Sequence, residues 1–424
     1  MLRPVSDFEP SGLDLTGVLL AVEKAAPVDA VGAVTRSVAA ALDAVRVSFL
    51  VADLSGRALV RLVHVPDGEP SDSRRQDEDV AEVLPFDGGP QEQALRSQRV
   101  LVEERDGLHV VRAPVTQRGE AIGLLEIALP VAPTGEIVQR VSHAAHTLAF
   151  VVIANRRHTD LFEWGQRTTP FTLAGEIQRR LLPPSFSCEA DSFTLAGWLE
   201  PAASIGGDTF DYSLARDLLH LSVTDAVGHG VSSALTATLC VGGLRNSRRR
   251  GGTLLEQAQA AHDAVVAHAA AESPFVTGFL GRLDLTTGVL TAVNAGHPPP
   301  LLVRDGAVHP VLLPINRPLG VRPAQPYEAG ELALQAGDRL VVLTDGLLER
   351  GAAALDLPTR LLHLKELHPR EVVRVLGDLV LEVAGPELPD DACLLVVDWH
   401  AGHGDTRSTA AGADQDRASG AHRD

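Results

Sequence analysis

The residues best suited to chemistry in this chain are aspartates set at the edges of apolar runs. In IGGDTFDYSLARDLLHLSVTDAVGHG, residues 205–230, Asp208 and Asp225 lie at the two ends of a hydrophobic stretch. Asp345 in TDGLLER and the adjacent Asp390 and Asp391 in LPDDACLLVVDW repeat the form. Apolar runs bounded by turn residues predict strands, so each aspartate sits where a strand meets a turn. Any one Asp beside Gly is ordinary turn chemistry. Recurrence within one region points further, because carboxylates gathered in a pocket repel one another unless a cation neutralises them. Mg2+ and Mn2+ take oxygen ligands of this kind. The pattern therefore predicts a hard divalent-cation site and metal-assisted hydrolysis.

Distant segments meet only if strands and helices carry them. From residue 193 onward FTLAGWLE, LLHLSVTD, FVTGFLGRLD, VLTAVNAG, PPLLVRDG, GDRLVVLTDG and ACLLVVDW read as strands, with helices predicted over 232–246, 253–271 and 369–383. Upstream, helical spacing over 12–41 precedes the paired strands VSFLVAD and ALVRLVHV. A polar loop over 66–80, a short helix over 91–97, and the strands LHVVRAPV and IGLLEIAL joined at Arg118 and Gly119 follow. Two further helices, over 135–160 and 170–182, form a connector; Thr168, Thr169 and Pro170 suit a helix start, and Pro183 and Pro184 a stop. The class is α+β. After residue 401 the chain is rich in Gly, Ala, Ser, Thr and Asp and poor in large apolar side chains, which predicts disorder.

Composition narrows the partners. A chain of 424 residues with 45% apolar content can build two cores. A net charge of -18 and a pI near 5.3 disfavour nucleic acid, whose binding is built on lysine and arginine. The basic cluster Arg245, Arg248, Arg249 and Arg250 reads as a solvated helix end. Cys188, Cys240 and Cys393 are far apart and form no CxxC pair, which fits a reducing cytoplasm without disulfides or a zinc ribbon. No basic-then-apolar leader and no apolar run near the ~20 residues of a membrane span is found, so no membrane is expected. HTLAFVVIA, residues 146–154, reads as a buried helix. His143 with His146, and His262 with His268, lack an HExxH pattern, so zinc is not expected.

EIQRRLLP at 176–183, GGDTFD at 206–211, TDAVGHG at 224–230 and FVTGFLGRLDLTTGVLTAVNAGHPPPLLV at 275–303 follow one another in order. LGV at 319–321, GDRLVVLTDGLLE at 337–349 and DDACLLVV at 390–397 complete a set, over about residues 172–398, that resembles the SpoIIE/RsbU-like branch of the metal-dependent type 2C protein serine/threonine phosphatases. The resemblance implies a phosphatase domain at 185–398, built as a central antiparallel β-sandwich flanked by helices, behind a helical connector at 156–184. APVTQRGEAIGLLEI at 113–127, followed by a long helix, looks like part of a GAF-type sensory α/β domain, placed at 12–155. Residues 399–424 form the tail.

By that resemblance Asp225 would bridge two Mn2+ or Mg2+ ions. Asp208 would share one ion with the backbone carbonyl of Ala226, and Asp345 and Asp390 would complete the shell of the other. Spacing does not separate Asp390 from Asp391; Asp390 is taken as the ligand. Ala226 stands where valine or glycine is usual, which matters little for a carbonyl ligand, and Thr209 stands where an aromatic is frequent. Asp211 would contact water in the site or cap a strand, His229 would act as general acid or hold its turn, and Asn294 and His297 would support the phosphate or its loop. No phosphate-gripping arginine can be assigned.

The activity implied is hydrolysis of phosphoserine or phosphothreonine on a regulatory protein by water activated between two metals. The partner implied is a phosphorylated STAS-type anti-sigma factor antagonist, with an unidentified ligand for the GAF-like domain. A homodimer through the apolar stripe of the connector is expected, in the cytoplasm. The competing reading is a catalytically silent sensor-scaffold that binds a phosphorylated partner. Retention of the acidic positions argues against it.

Overall fold

The computed structural model describes residues 15–66, 82–168, 171–200, 206–268, 274–322, 325–347, 356–384, 391–402, 407 and 409–418. The chain divides into two compact units, Met1–Thr169 with Ala411–Asp424, and Pro170–Ala410. The boundary falls inside the segment expected to act as a connector.

The first unit contains α1 (Leu15–Lys24), α2 (Ala30–Leu42), β1 (Arg46–Ala52), β2 (Ala58–Pro66), β3 (Val83–Pro85), α3 (Pro90–Ser97) and β4 (Leu101–Arg105). It continues through β5 (Leu108–Gln117), β6 (Glu120–Leu129), α4 (Gly135–Asn155) and the short α5 (Leu161–Gly165). The strands form one antiparallel sheet in the order β3-β2-β1-β6-β5-β4. Side chains alternate between faces, so Val47, Phe49 and Val51 pack with Val34 and Val38 of α2 and Val141, Ala145 and Leu148 of α4. Leu50 and Ala52 turn the other way, onto Ala94 and Leu95 of α3. Arg118 (φ 47°) and Gly119 (φ 80°) make the two-residue turn between β5 and β6, where left-handed backbone matches strand twist.

Helix α4 is long and apolar enough to cross a membrane by length and composition. Its stripe Val141, Ala144, Ala145, Leu148, Ala149 and Val152 is instead buried in the first unit's core. It ends at Asn155, short of the expected 160. The chain beyond 410 also differs from expectation. The Gly119 amide donates to the Gly412 carbonyl (3.0 Å), Gln415 Nε2 to the Gln98 carbonyl (3.4 Å), and Ala413 is buried. Backbone hydrogen bonds, the Gln415 amide and one small buried side chain hold this segment, and none of them requires the large apolar residues that it lacks. The expected polar loop at 66–80 lies outside the described residues apart from its first residue.

The second unit opens with α6 (Leu173–Leu181), β7 (Ser187–Glu189), β8 (Phe193–Glu200), β9 (Asp208–Leu214), β10 (Leu218–Ala226), α7 (Gly230–Arg249) and α8 (Leu254–Ala267). Then come β11 (Val276–Asp284), β12 (Val289–Ala295), β13 (Leu301–Arg304), β14 (Ala307–Pro310), β15 (Ile315–Asn316), β16 (Gly330–Ala333) and β17 (Arg339–Leu343). It closes with α9 (Leu357–His363), α10 (Pro369–Ala384) and β18 (Ala392–Trp399). One sheet runs β15-β12-β11-β10-β9, with β16 also on β12; the other runs β14-β13-β17-β18-β8-β7.

The two sheets face each other. Phe210, Leu221, Val223 and Phe279 of the first meet Leu195, Val342, Cys393 and Leu395 of the second. Each fully buried phenylalanine contributes about 1.5–3 kcal/mol of burial. Ala226, Leu280 and Val293 turn outward onto Ala237 and Cys240 of α7 and Ala261 and Val265 of α8. Trp198, Val341, Leu394 and Val396 turn onto α9 and α10. Thr253 starts α8 with a reciprocal cap: its hydroxyl accepts from the Glu256 amide, and the Glu256 carboxylate accepts from the Thr253 amide. Thr172 caps α6 by accepting from the Gly175 amide (3.1 Å). That helix ends where Leu182, preceding Pro183, becomes extended.

Candidate metal centre

Strands β9 and β10 are antiparallel in a register that sets Asp208 opposite Asp225. Paired residues share a face, and Asp208 and Asp225 fall on the parity of Phe210 and Val223, which line the space between the sheets. Both carboxylates therefore stand at one end of the sandwich. Like charges directly opposed on a sheet repel. Asp208 is 3% exposed, and Asp225 is half-buried.

The facing sheet supplies the groups that fix them. Thr344, just beyond β17, donates from Oγ1 to Asp208 Oδ2 (2.7 Å) and accepts from the Cys393 amide (2.9 Å). Asp391, just before β18 and 2% exposed, accepts at Oδ2 from Gln178 Nε2 (2.6 Å), the Gly207 amide (2.9 Å) and the Asp208 amide (3.4 Å). Gln178 Nε2 also donates to the Asp208 carbonyl (2.8 Å), so α6 reaches the site through one buried amide. The Cys393 thiol is pushed well above the usual range, first by burial and then by the negative charge of Asp208, Asp391 and Asp225.

Two glycines permit the close approach. A Cβ on Gly207 would meet the Ala226 carbonyl and Ser233 Oγ at 2.5 Å each. One on Gly346 would run into the carbonyl of Asp391, so the turn after Asp345 lies flat against the Asp391 backbone. Asp345 opens the short 3-10 turn Asp345–Leu347 and is exposed. The Ala226 carbonyl accepts from Ser233 Oγ (2.8 Å).

Asp208, Asp225, Asp345 and the Ala226 carbonyl each offer oxygen at a strand end, and oxygen donors are the kind that Mg2+ and Mn2+ take. Among the described residues, no three His, Cys, Asp or Glu side chains form a ready metal-holding group. Asp390 lies outside the described residues. Asp391 is described, and its buried Oδ2 is engaged by the amides that shape the turn at 207–208.

The other sequence-predicted residues make contacts of their own. Asp211 is on the opposite parity of β9 and faces α7. Its carboxylate accepts from Arg245 Nε and Nη2 (3.1 and 2.9 Å) and from both terminal nitrogens of Arg248 (3.2 Å each). Asp211 therefore does not reach the site, and Arg245 and Arg248 are not a merely solvated helix end. His229 is exposed at the N-cap of α7. Asn294 Nδ2 donates to the His297 carbonyl (2.9 Å), and its Oδ1 accepts from the His297 amide (2.8 Å), closing the loop after β12. His297 is buried, with Nδ1 2.9 Å from Thr277 Oγ1; Thr277 is the register partner of Asp225 on β11. Burial pushes its imidazole down to about 4. Sequence reasoning missed Gln178, Ser233, Thr277 and Thr344. The one available signal was Gln178, Thr277 and Thr344 falling within the quoted motifs at 176–183, 275–303 and 337–349.

Residues 215–400 match the family model described as Stage II sporulation protein E (SpoIIE). The phosphoserine phosphatase RsbP of Bacillus subtilis (strain 168) is 22% identical over 236 residues, covering 53% of this chain and 57% of that protein. The phosphoserine phosphatase RsbU of the same strain is 24% identical over 233 residues, covering 53% of this chain and 68% of that protein. The solved RsbU and RsbW domains of Rv1364c from Mycobacterium tuberculosis are 28% identical with a TM-score of 0.45, over 51% of this chain and 63% of that one. The chain spans between about a third and about two thirds of the length of the curated relatives it matches. Over residues 215–400, within its second unit, the chain is therefore similar to the SpoIIE family and to the phosphoserine phosphatases RsbP and RsbU.

Proposed function

We propose that the second unit is a metal-dependent phosphatase acting on phosphoserine or phosphothreonine of a regulatory protein. The observation that carries this reading is the in-register pairing of Asp208 with Asp225 at the sandwich end, in the unit that is similar to the SpoIIE family. Asp208, Asp225, Asp345, Asp390 and the Ala226 carbonyl would hold two Mn2+ or Mg2+ ions, which when bound supply charge neutralisation and an activated water for attack at phosphorus. The chain's own groups set the geometry. Thr344 restricts the Asp208 carboxylate, Asp391 ties the turn at 207–208 to the second sheet, and the buried surroundings strengthen each of these bonds.

The partner we infer from the family resemblance is a phosphorylated STAS-type anti-sigma factor antagonist, with a cytoplasmic setting; two of the curated relatives are named phosphoserine phosphatases. The first unit reads as a GAF-like sensor for an unidentified ligand; its six-stranded antiparallel sheet, with α2 and α4 on one face and α3 on the other, supports this. Helix α6 is the natural route for control, because a shift of this helix would withdraw Gln178 from Asp208 and Asp391. Dimerisation through the helical connector belongs to the same reading.

The test is release of phosphate from a phosphoserine protein by the full chain in Mn2+ and after chelation. Chelation should abolish release, and Asp225→Asn should lower it more than about 100-fold, since loss of groups one shell further out already costs 10–100-fold. Equal activity of Asp225→Asn would overturn the assignment.

A further inference from the structure

A second group of polar side chains lies on the outer face of the β9-β10-β11 sheet, towards the end of β10 opposite Asp225. Ser213, His220 and Arg282 stand side by side across these strands, because His220 pairs with Ser213 on β9 and with Arg282 on β11. Period-two alternation puts them on the face of Ala226 and Leu280, the one that carries α7 and α8. Along β10 the row is about 17 Å from Asp225. Asp211 lies two residues before Ser213 on the same face, where both terminal nitrogens of Arg248 donate to it at 3.2 Å.

Hydrogen bonds and charge are out of balance in this row. Arg282 is half-buried and has no hydrogen-bond or ion-pair partner among the described residues. His220 Nδ1 is buried and equally without a partner among them. Asp211 is the carboxylate that acts on the ring, against the guanidinium groups of Arg248 and Arg282, and it is already shared by Arg245 and Arg248. Asp284, on the same face beyond Arg282, turns Oδ1 to the Thr286 and Thr287 amides. Positive charge is thus left over here, in a chain whose net charge is -18. Burial, then Arg248 and Arg282, push the imidazole down to about 4, so at neutral pH it carries one N–H and adds no charge of its own. A guanidinium fork without a carboxylate, a neighbouring imidazole N–H and a hydroxyl are the donors that a tetrahedral oxyanion takes.

We propose that Ser213, His220, Arg248 and Arg282 form a binding site for a phosphate group, on the face of the sheet turned away from the candidate metal centre. The site shares no residue with that centre and stands independently of the metal-dependent reading. It gives the basic end of α7 a ligand in place of solvent.

The experiment is calorimetric titration of the full chain with inorganic phosphate and, separately, with a phosphoserine blocked at both ends. A chelator is present throughout, so that no metal-held phosphate contributes, and thermal melts establish that each variant is folded. Wild type should bind at one saturable site per chain. Arg282→Gln should weaken binding by about tenfold to a hundredfold, the scale of a lost charge-assisted hydrogen bond. His220→Phe keeps the volume of the ring, removes its N–H and should weaken binding by about threefold to tenfold; it also serves if the Arg282 variant does not fold. Arg250→Gln, at an exposed arginine beyond the row, should stay within about twofold of wild type, which separates a built site from attraction to basic charge in general. Binding of both probes identifies a phosphate group free or carried on a protein, and binding of inorganic phosphate alone identifies the free anion. No saturable binding of either probe, wild-type affinity in Arg282→Gln, or an Arg250→Gln variant as weak as Arg282→Gln overturns the proposal. None of these outcomes touches the phosphatase reading, because the metal is withheld in every arm.

Discussion

Replacing Thr344 with valine keeps the shape of a fully buried side chain and deletes one oxygen. That oxygen donates to Asp208 Oδ2 at 2.7 Å and accepts from the Cys393 amide at 2.9 Å. A hydrogen bond to a charged acceptor contributes about 1.5–3 kcal/mol, and a buried amide left without a partner costs about 1–3 kcal/mol. The two losses share one site and are not fully additive, so the expected destabilisation is about 3 kcal/mol. For a domain of this size each kcal/mol lowers the melting temperature by roughly 2–4 °C, giving a fall of about 6–12 °C in the transition of the second unit. Scanning calorimetry of the full chain measures it. Thr344→Ser retains the oxygen and should stay within about 1 kcal/mol of wild type. A valine variant melting within about 2 °C of wild type, or a serine variant as unstable as the valine, would refute the reasoning.

Asp211→Asn removes the charge shared by Arg245 and Arg248 and should cost about 1–3 kcal/mol in urea unfolding while leaving phosphate release at saturating Mn2+ nearly unchanged. A large loss of turnover in that folded variant would return Asp211 to the catalytic centre. Two histidines set a pH window. His220 is pushed down to about 4 by burial and then by Arg248 and Arg282, and His297 to about 4 by burial. Unfolded histidine takes its proton near 6.5, so between about 6.5 and 4 the unfolded chain binds more protons than the folded one. Stability should be full above about pH 6.5 and fall as the pH drops towards 4, with His297 alone accounting for about 3 kcal/mol. Urea denaturation at pH 7 and pH 4.5 checks this, and equal stability at the two values would contradict it.

Much of the second unit was legible because its strands are apolar runs with acidic punctuation. The strand LLHLSVTD, now within β10, and the run ending in TDG, now β17, place Asp225 and Thr344-Asp345 where the spacing put them. The face occupied by Asp211 was legible too: period-two alternation separates it from Asp208, and counting residues along β9 would have removed it from the candidate site. Gln178 and Thr344 were hidden for a different reason. Neutral side chains carry no charge pattern, and their partners lie 213 and 136 residues away in sequence. Strands as short as β7 and β15, three and two residues, hold too few positions to show any period. The segment 411–418 escaped because composition records side chains, whereas its contact with Gly119 is made by backbone.

That contact has a consequence for biosynthesis. Gly119 and Gly412 close the first unit across the whole length of the second. A nascent chain leaving the ribosome therefore has the rest of the first unit and all of the second available to fold before the segment that docks beside the β5–β6 turn has been translated. The amide of Gly119 must wait in water until then, and the first unit gains its final hydrogen bonds only after the second unit has emerged.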